Sequence, residues 1–211
     1  MAIIFDLDGV LLDTLALHRR VWHEWARTHD LDPDAVFAAT FGRRPEDTLS
    51  EVAGHLETAN ELRRLDALLD AGVDEIRLQP GALSATETAA HGQWAVVTST
   101  EQQRARHYLR HLGCFAPQVV VGGTDVAQGK PSPEGYLLAA AELGVAPRLC
   151  LVVEDAPSGI AAARAAGAVV MAVATTHPKE ALHDADLVVD DLVAAQDLLE
   201  NWVEESNRRR T

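Results

Sequence analysis

Apolar residues follow two patterns along this chain. Short unbroken runs, namely Ile3-Ile4-Phe5, Trp94-Ala95-Val96-Val97-Thr98, Val119-Val120-Val121, Leu149-Cys150-Leu151-Val152-Val153, Val169-Val170-Met171-Ala172-Val173 and Leu187-Val188-Val189, have the length and composition of buried strands. Elsewhere apolar residues recur in steps of three and four, the spacing of one helix face. The stripe Leu15, His18, Trp22, Trp25 predicts a helix ending near His29, and Asp32-Pro33 starts a short one through Ala38. Residues 45–56 form another, and Ala59, Leu62, Leu65 and Leu69 mark a further one stopped by Gly72. Residues 15–78 are therefore expected to be helical without a strand, and Gln79-Pro80-Gly81 breaks the run.

Beyond that break, strands and helices alternate. Helices are expected through Ala105, Tyr108, Leu109 and Leu112 with Gly113 as stop, from Ser132-Pro133-Glu134 through Leu143, over 157–166, and through Leu198, Leu199 and Trp202. Ser132 offers a capping hydroxyl, Pro133 a preset first turn and Glu134 an acid at the positive pole. The tail Arg208-Arg209-Arg210 is expected to fray. Apolar strands alternating with amphipathic helices specify an α/β fold, a Rossmann-like parallel sheet flanked by helices. Residues 1–14 and 79–211 would form this core, interrupted by the helical segment 15–78.

Ligands in such folds bind beyond the carboxyl ends of the strands. The chemistry of this chain gathers there. Asp6 and Asp8 follow the first strand one residue apart, with Gly9 for a tight turn. The pair reads either as an acidic turn or as a cation site, because two carboxylates at a buried strand end repel unless a cation or proton holds them. Glu154-Asp155 follows Leu151-Val152-Val153 and poses the same choice, with metal ligation the better account. Thr98-Ser99-Thr100 either caps the next helix or binds a phosphate with its hydroxyls and free amides. Lys130, in Gln128-Gly129-Lys130-Pro131, is either a solvated loop lysine or a compact ammonium in a site. The chain has sixteen arginines but only Lys130 and Lys179 as lysines, which favours the second. His107 and His111 have metal spacing on a helix but lack a third ligand.

The formal net charge of −14 opposes nucleic acid and anionic membranes as partners. No apolar run is long enough to span a bilayer, and no signal region opens the chain, so a cytoplasmic enzyme is expected. Cys114 and Cys150 lack metal spacing and read as reduced core thiols.

Taken in order, these residues resemble the haloacid dehalogenase-like phosphohydrolase superfamily over essentially the whole chain. Asp6-Leu7-Asp8-Gly9-Val10 matches its DxDx(T/V) motif, Thr98 its strand-end hydroxyl, Lys130 its lysine and Glu154-Asp155 its acidic motif. Trp94-Ala95-Val96-Val97-Thr98-Ser99, Val126-Ala127-Gln128-Gly129-Lys130-Pro131 and Glu154-Asp155-Ala156-Pro157-Ser158-Gly159-Ile160 are similar to its sugar- and polyol-phosphate phosphatases. The resemblance implies a Mg²⁺-dependent phosphatase, with residues 15–78 as its inserted small α-helical cap domain, that acts as a monomer on a small phosphorylated metabolite, a sugar or polyol phosphate. Asp6 would be the nucleophile, forming an aspartyl-phosphate, and Asp8 the acid/base. Asp6, the Asp8 main-chain carbonyl, Glu154 and Asp155 would hold Mg²⁺. Thr98, Ser99 and Lys130 would hold the phosphate, and the cap residues Arg43, Arg44 and His18 the rest of the substrate.

Three alternatives accompany this expectation, one of them a non-catalytic binding module that keeps the fold, against which the intact motif residues count. Asp8-Gly9-Val10 through Asp13-Thr14 and His18 also resembles the β-phosphoglucomutase branch, whose members are isomerases. Pro45 stands where that branch places a cap arginine, which counts against it. The remaining alternative is a phosphoglycolate-type phosphatase.

Overall fold

A computed structural model of the chain describes residues 1–209. Its centre is a six-stranded parallel sheet. In chain order the first elements are β1 (Ala2–Phe5), the two-residue strand β2 (Leu12–Asp13), then helices α1 (Leu15–Thr28), α2 (Pro33–Ala38), α3 (Pro45–Ala53) and α4 (Thr58–Ala71). There follow β3 (Arg77–Leu78), α5 (Ala82–Ala90), β4 (Gln93–Val97), α6 (Gln102–His111), β5 (Val119–Val121) and α7 (Glu134–Glu142). The chain continues with β6 (Cys150–Glu154), α8 (Pro157–Ala165), β7 (Val169–Val173), β8 (Leu187–Val189) and α9 (Leu192–Arg208).

The sheet order is β5-β4-β1-β6-β7-β8. The chain builds outward from β1 in one direction through β4 and β5, then in the other through β6, β7 and β8. Its switch point therefore lies at the carboxyl ends of β1, β4 and β6, where such folds bind ligands. Ile4 pairs with Ala95 on one side and Val152 on the other, so the three strands end at one level. These strands are buried on both faces, as their unbroken apolar runs require.

Two expectations are corrected, and one unforeseen helix is added. Residues 15–78 do contain a strand: Arg77–Leu78 pairs antiparallel with Leu12–Asp13, tying the two ends of the helical segment together. Helix α5 was not evident in the sequence because Ala85, Thr86 and Ala89, its buried face, make only a weak apolar stripe. The tail is more ordered than its charge suggests: α9 runs to Arg208, and Arg209 bonds the Glu205 carboxylate at 2.7 Å. Arg210 lies outside the described residues.

Candidate active site

Asp6 continues the ladder of β1, its N–H donating to Val153 O at 2.9 Å. The chain then turns sharply. The amides of Leu11 and Leu12 both donate to Leu7 O at 2.9 Å, and Gly9 adopts φ +86°. This turn needs glycine twice over, because a Cβ at Gly9 would be conformationally strained and would overlap the Asp155 carboxylate.

Lys130 reaches Asp6 from the loop before α7. Its ammonium pairs with Asp6 Oδ1 and lies 2.6 Å from Glu154 Oε1. The same Glu154 oxygen accepts the Tyr136 hydroxyl at 2.5 Å, while Oε2 accepts the Asp155 amide at 3.0 Å. Glu134 fixes the loop: its carboxylate accepts the amides of Ala127 and Gln128, each at 2.9 Å. It serves there as a loop clasp as well as the acid in the first turn of α7. Asp155 accepts the Thr176 hydroxyl, and the His177 ring sits 3.1 Å from the Asp155 carbonyl.

Asp8 faces a different set of groups. Its Oδ1 accepts the Thr14 hydroxyl at 2.8 Å, and its Oδ2 accepts the Thr100 hydroxyl at 3.0 Å and the Thr98 hydroxyl at 3.4 Å. His18 Nε2 is 4.0 Å from Oδ1. Thr14 occupies the N-cap position of α1 but makes no capping bond, since its hydroxyl is turned to Asp8. Nor do the hydroxyls after β4 cap α6: Glu101 does, accepting the amides of Gln103 and Arg104 at 3.0 and 2.9 Å. Thr98 and Thr100 are thereby left for Asp8, and Ser99 donates to the Gly42 carbonyl at 3.1 Å.

Burial sets the electrostatics. It raises Asp6 well above the ordinary carboxylate range; Lys130 opposes this, and Glu154, Asp155 and Asp8 reinforce it. Burial and then Glu154 push Asp155 up to about 8. Burial opposes the Lys130 charge, but Asp6 and Glu154 outweigh it and hold the ammonium firmly protonated. One ammonium thus stands among three buried carboxylates, Asp6, Glu154 and Asp155, whose nearest oxygens lie within 4.8 Å of one another. This is a donor set suited to a hard divalent cation, which would relieve the remaining repulsion. Gly159 keeps room for the Glu154 carboxylate, which a Cβ there would overlap.

A cavity of about 340 Å³ opens from these acids towards α1 and α4. Asp6, Asp8, His18, Arg43, Ser99 and Asp155 line it. Thr98, Lys130 and Glu154 do not line it and are almost fully buried. Arg44 points elsewhere. It is bound to Asp47 at 2.7 and 2.8 Å, and its Nη1 donates to the Val126 carbonyl at 3.2 Å. The Arg44 side chain also packs on Gly129, where a Cβ would come within 2.7 Å of its Nε. Arg43 pairs with Glu51 on its own helical segment. The sequence reading assigned no role at the site to Tyr136, Thr14 or Thr176, read Glu134 only as the first-turn acid of its helix, and set Thr100 against a phosphate where its hydroxyl bonds Asp8. Of the first three, only Thr176 carried a visible signal, a hydroxyl just beyond the carboxyl end of β7. His107 and His111 stack with ring centroids 6.1 Å apart, and neither belongs to the buried acidic group.

The model of the haloacid dehalogenase-like hydrolases matches residues 1–167, and the chain belongs to that family. It is a phosphatase of the family, a phosphoric monoester hydrolase. It is 39% identical over 194 residues to hexitol phosphatase A of Escherichia coli, covering 90% of each chain. It is 32% identical over 215 residues to 2-deoxyglucose-6-phosphate phosphatase 2 of Saccharomyces cerevisiae, covering 90% of this chain and 87% of the relative. The solved β-phosphoglucomutase of Clostridium difficile has the same fold, with a TM-score of 0.83 at 24% identity over 99% of this chain and 97% of its own.

Proposed function

We propose that this protein hydrolyses the phosphate monoester of a small sugar or polyol through an aspartyl-phosphate on Asp6. One observation carries the reading. Asp6 is buried against Lys130 beside two further acids, while Asp8, two residues on, is held at the cavity wall by hydroxyl donors. The two carboxylates thus have separate environments, and separate environments suit separate roles.

Asp6 is the nucleophile that attacks phosphorus. Lys130 lowers the repulsion between this carboxylate and the incoming phosphate, and with the Thr98 hydroxyl it holds the transferring oxygens. Thr14 and Thr100 orient the Asp8 carboxyl, which gives its proton to the leaving alkoxide and then takes one from the attacking water. Asp6, the Asp8 main-chain carbonyl and Asp155 would hold Mg²⁺, with Glu154 beside them. The ion supplies positive charge for the phosphate oxygens.

The helical segment closes the site. Ser99 meets Gly42, Ser158 donates to the Phe41 carbonyl at 3.3 Å, and the Phe41 ring lies edge-on to His177 at 5.0 Å. Residues 15–78 act as a cap domain over the remaining core, hinged at the β2–β3 ribbon. Such closure excludes bulk water from the transfer step. The substrate class rests on the cavity size and on relatives named for a hexitol phosphate and 2-deoxyglucose 6-phosphate. Among the described residues no helix is long and apolar enough to cross a membrane.

A phosphate-release panel with and without Mg²⁺ tests the reading. Hexitol and hexose monophosphates should outrank nucleotides and phosphoglycolate, and only with the metal. Isomer exchange without phosphate release would instead favour a mutase, although Pro45 occupies the place of the mutase arginine.

A further inference from the structure

The cavity contains a charged contact that the transfer chemistry does not use. Helix α4 lines it with Leu62, Leu65, Asp66 and Leu69, one face of the helix at three- and four-residue spacing. Asp66 interrupts an otherwise apolar wall. Across the cleft, Arg104 of α6 donates from Nη1 to Asp66 Oδ1 at 2.6 Å and from Nε to Asp70 Oδ1 at 3.2 Å. Arg104 is mostly buried and lines the same cavity, while Asp66 remains half-exposed. Asp66 Oδ2 has no hydrogen-bond partner among the described residues. Asp70 grips Arg104 from outside the cavity lining.

Resting on the sugar or polyol reading above, we propose that Asp66 and Arg104 form the subsite that binds the substrate's hydroxyls and selects an uncharged leaving group. A carboxylate with a free oxygen accepts an alcohol O–H, and a guanidinium beside it donates to a neighbouring alcohol oxygen. The apolar wall of Leu62, Leu65 and Leu69 suits the C–H face of a carbon chain. Charge does the selecting. Arg104 is shared by two carboxylates, so this cluster carries a net negative charge and repels an anionic substituent. Arg43, the other arginine on the cavity wall, is likewise paired, with Glu51. A phosphorylated sugar acid or a bisphosphate would therefore meet no unpaired arginine at its far end.

The contact could instead serve only as a clamp between helical segment and core. Asp70 separates the two roles, because it grips Arg104 without lining the cavity. The experiment measures kcat and KM, with Mg²⁺, for a hexitol monophosphate, a phosphorylated sugar acid and p-nitrophenyl phosphate. Wild type should prefer the hexitol phosphate to the sugar acid. Asp66→Asn should lower the hexitol-to-aryl ratio of kcat/KM by about tenfold or more, mainly through KM, as expected for one lost charge-assisted hydrogen bond. Asp70→Asn should leave that ratio near wild type. The double variant Asp66→Asn/Asp70→Asn frees the Arg104 charge and should raise sugar acid relative to hexitol phosphate by about tenfold. Equal losses on all three substrates, or the same ratio change in Asp70→Asn as in Asp66→Asn, would overturn the subsite and leave the sugar-phosphatase reading standing. A wild type that cleaves the aryl ester but no sugar or polyol phosphate would overturn both.

Discussion

The Lys130 ammonium lies 2.6 Å from Glu154 Oε1 while also contacting Asp6, so one cation joins the ends of β1 and β6. Tyr136 donates to the same Glu154 oxygen, which leaves the ammonium little freedom to move. Lys130→Ala should lower kcat/KM by about 10²–10³, the cost of losing one donor to a developing anion. It should also weaken inorganic phosphate as an inhibitor. Lys130→Arg should recover only part of this, because a planar fork does not fit a pocket shaped around a point charge. Full recovery with Arg would remove Lys130 from the phosphate's contacts.

Asp6 and Asp8 should fail differently. Asp6→Asn keeps the shape but removes the attacking charge, and turnover should fall by several orders of magnitude with the fold intact. Asp8→Asn keeps the main-chain carbonyl but loses proton transfer. With an activated aryl phosphate, whose leaving group needs little protonation, attack should proceed and the phospho-enzyme should accumulate. Quenching followed by mass spectrometry should find phosphate on Asp6. Wild-type rates for Asp8→Asn on both alkyl and aryl substrates would exclude it as the acid/base.

A metal held at the proposed site would be coupled to pH through the buried acids. Asp155 sits at about 8 in the folded chain against an ordinary value of 3.8. Between those values the native state binds more protons than the unfolded chain, so metal-free stability falls as pH rises through the window. Mg²⁺ takes the deprotonated acids. Thermal melts should therefore show a larger Mg²⁺-dependent rise in Tm at about pH 8 than at about pH 5. Equal rises at both would mean that Asp155 is not a ligand.

Arg43 and Arg44, adjacent in sequence, should have different phenotypes. Arg44 ties the segment before α3 to the Val126 carbonyl and packs on Gly129, beside Lys130. Arg44→Ala should therefore depress activity on every substrate by a similar factor. Arg43 lines the cavity, and Arg43→Ala should reorder sugar and polyol phosphates while changing aryl phosphate less. A panel of initial rates decides between the two patterns, and a reordering by Arg44→Ala would contradict its placement.

The fold was legible because its signals are local. A strand buried on both faces must be an unbroken apolar run, and a helix packed on it must carry a stripe, so alternation alone specified the parallel sheet. Asp6, Asp8, Thr98, Lys130 and Glu154-Asp155 stood out because they lie at strand carboxyl ends or in a loop after one. Which groups meet there depends on contacts between residues far apart in sequence, and no periodicity encodes those. Tyr136 falls inside the helix expected from Ser132 through Leu143 with nothing to mark it, yet its hydroxyl holds Glu154. Thr14 read as the end of a motif, and only the three-dimensional turn sends its hydroxyl to Asp8 in preference to its own helix. Arg43 and Arg44 were indistinguishable as a basic pair; in the folded chain Arg43 lines the cavity and Arg44 lies on the Lys130 loop. The sequence by itself determined the six strands of the main sheet, most of the helices and the residue types at the strand ends, since these follow from residue type and spacing. The tertiary structure decided the partners, because side-chain direction is set by packing.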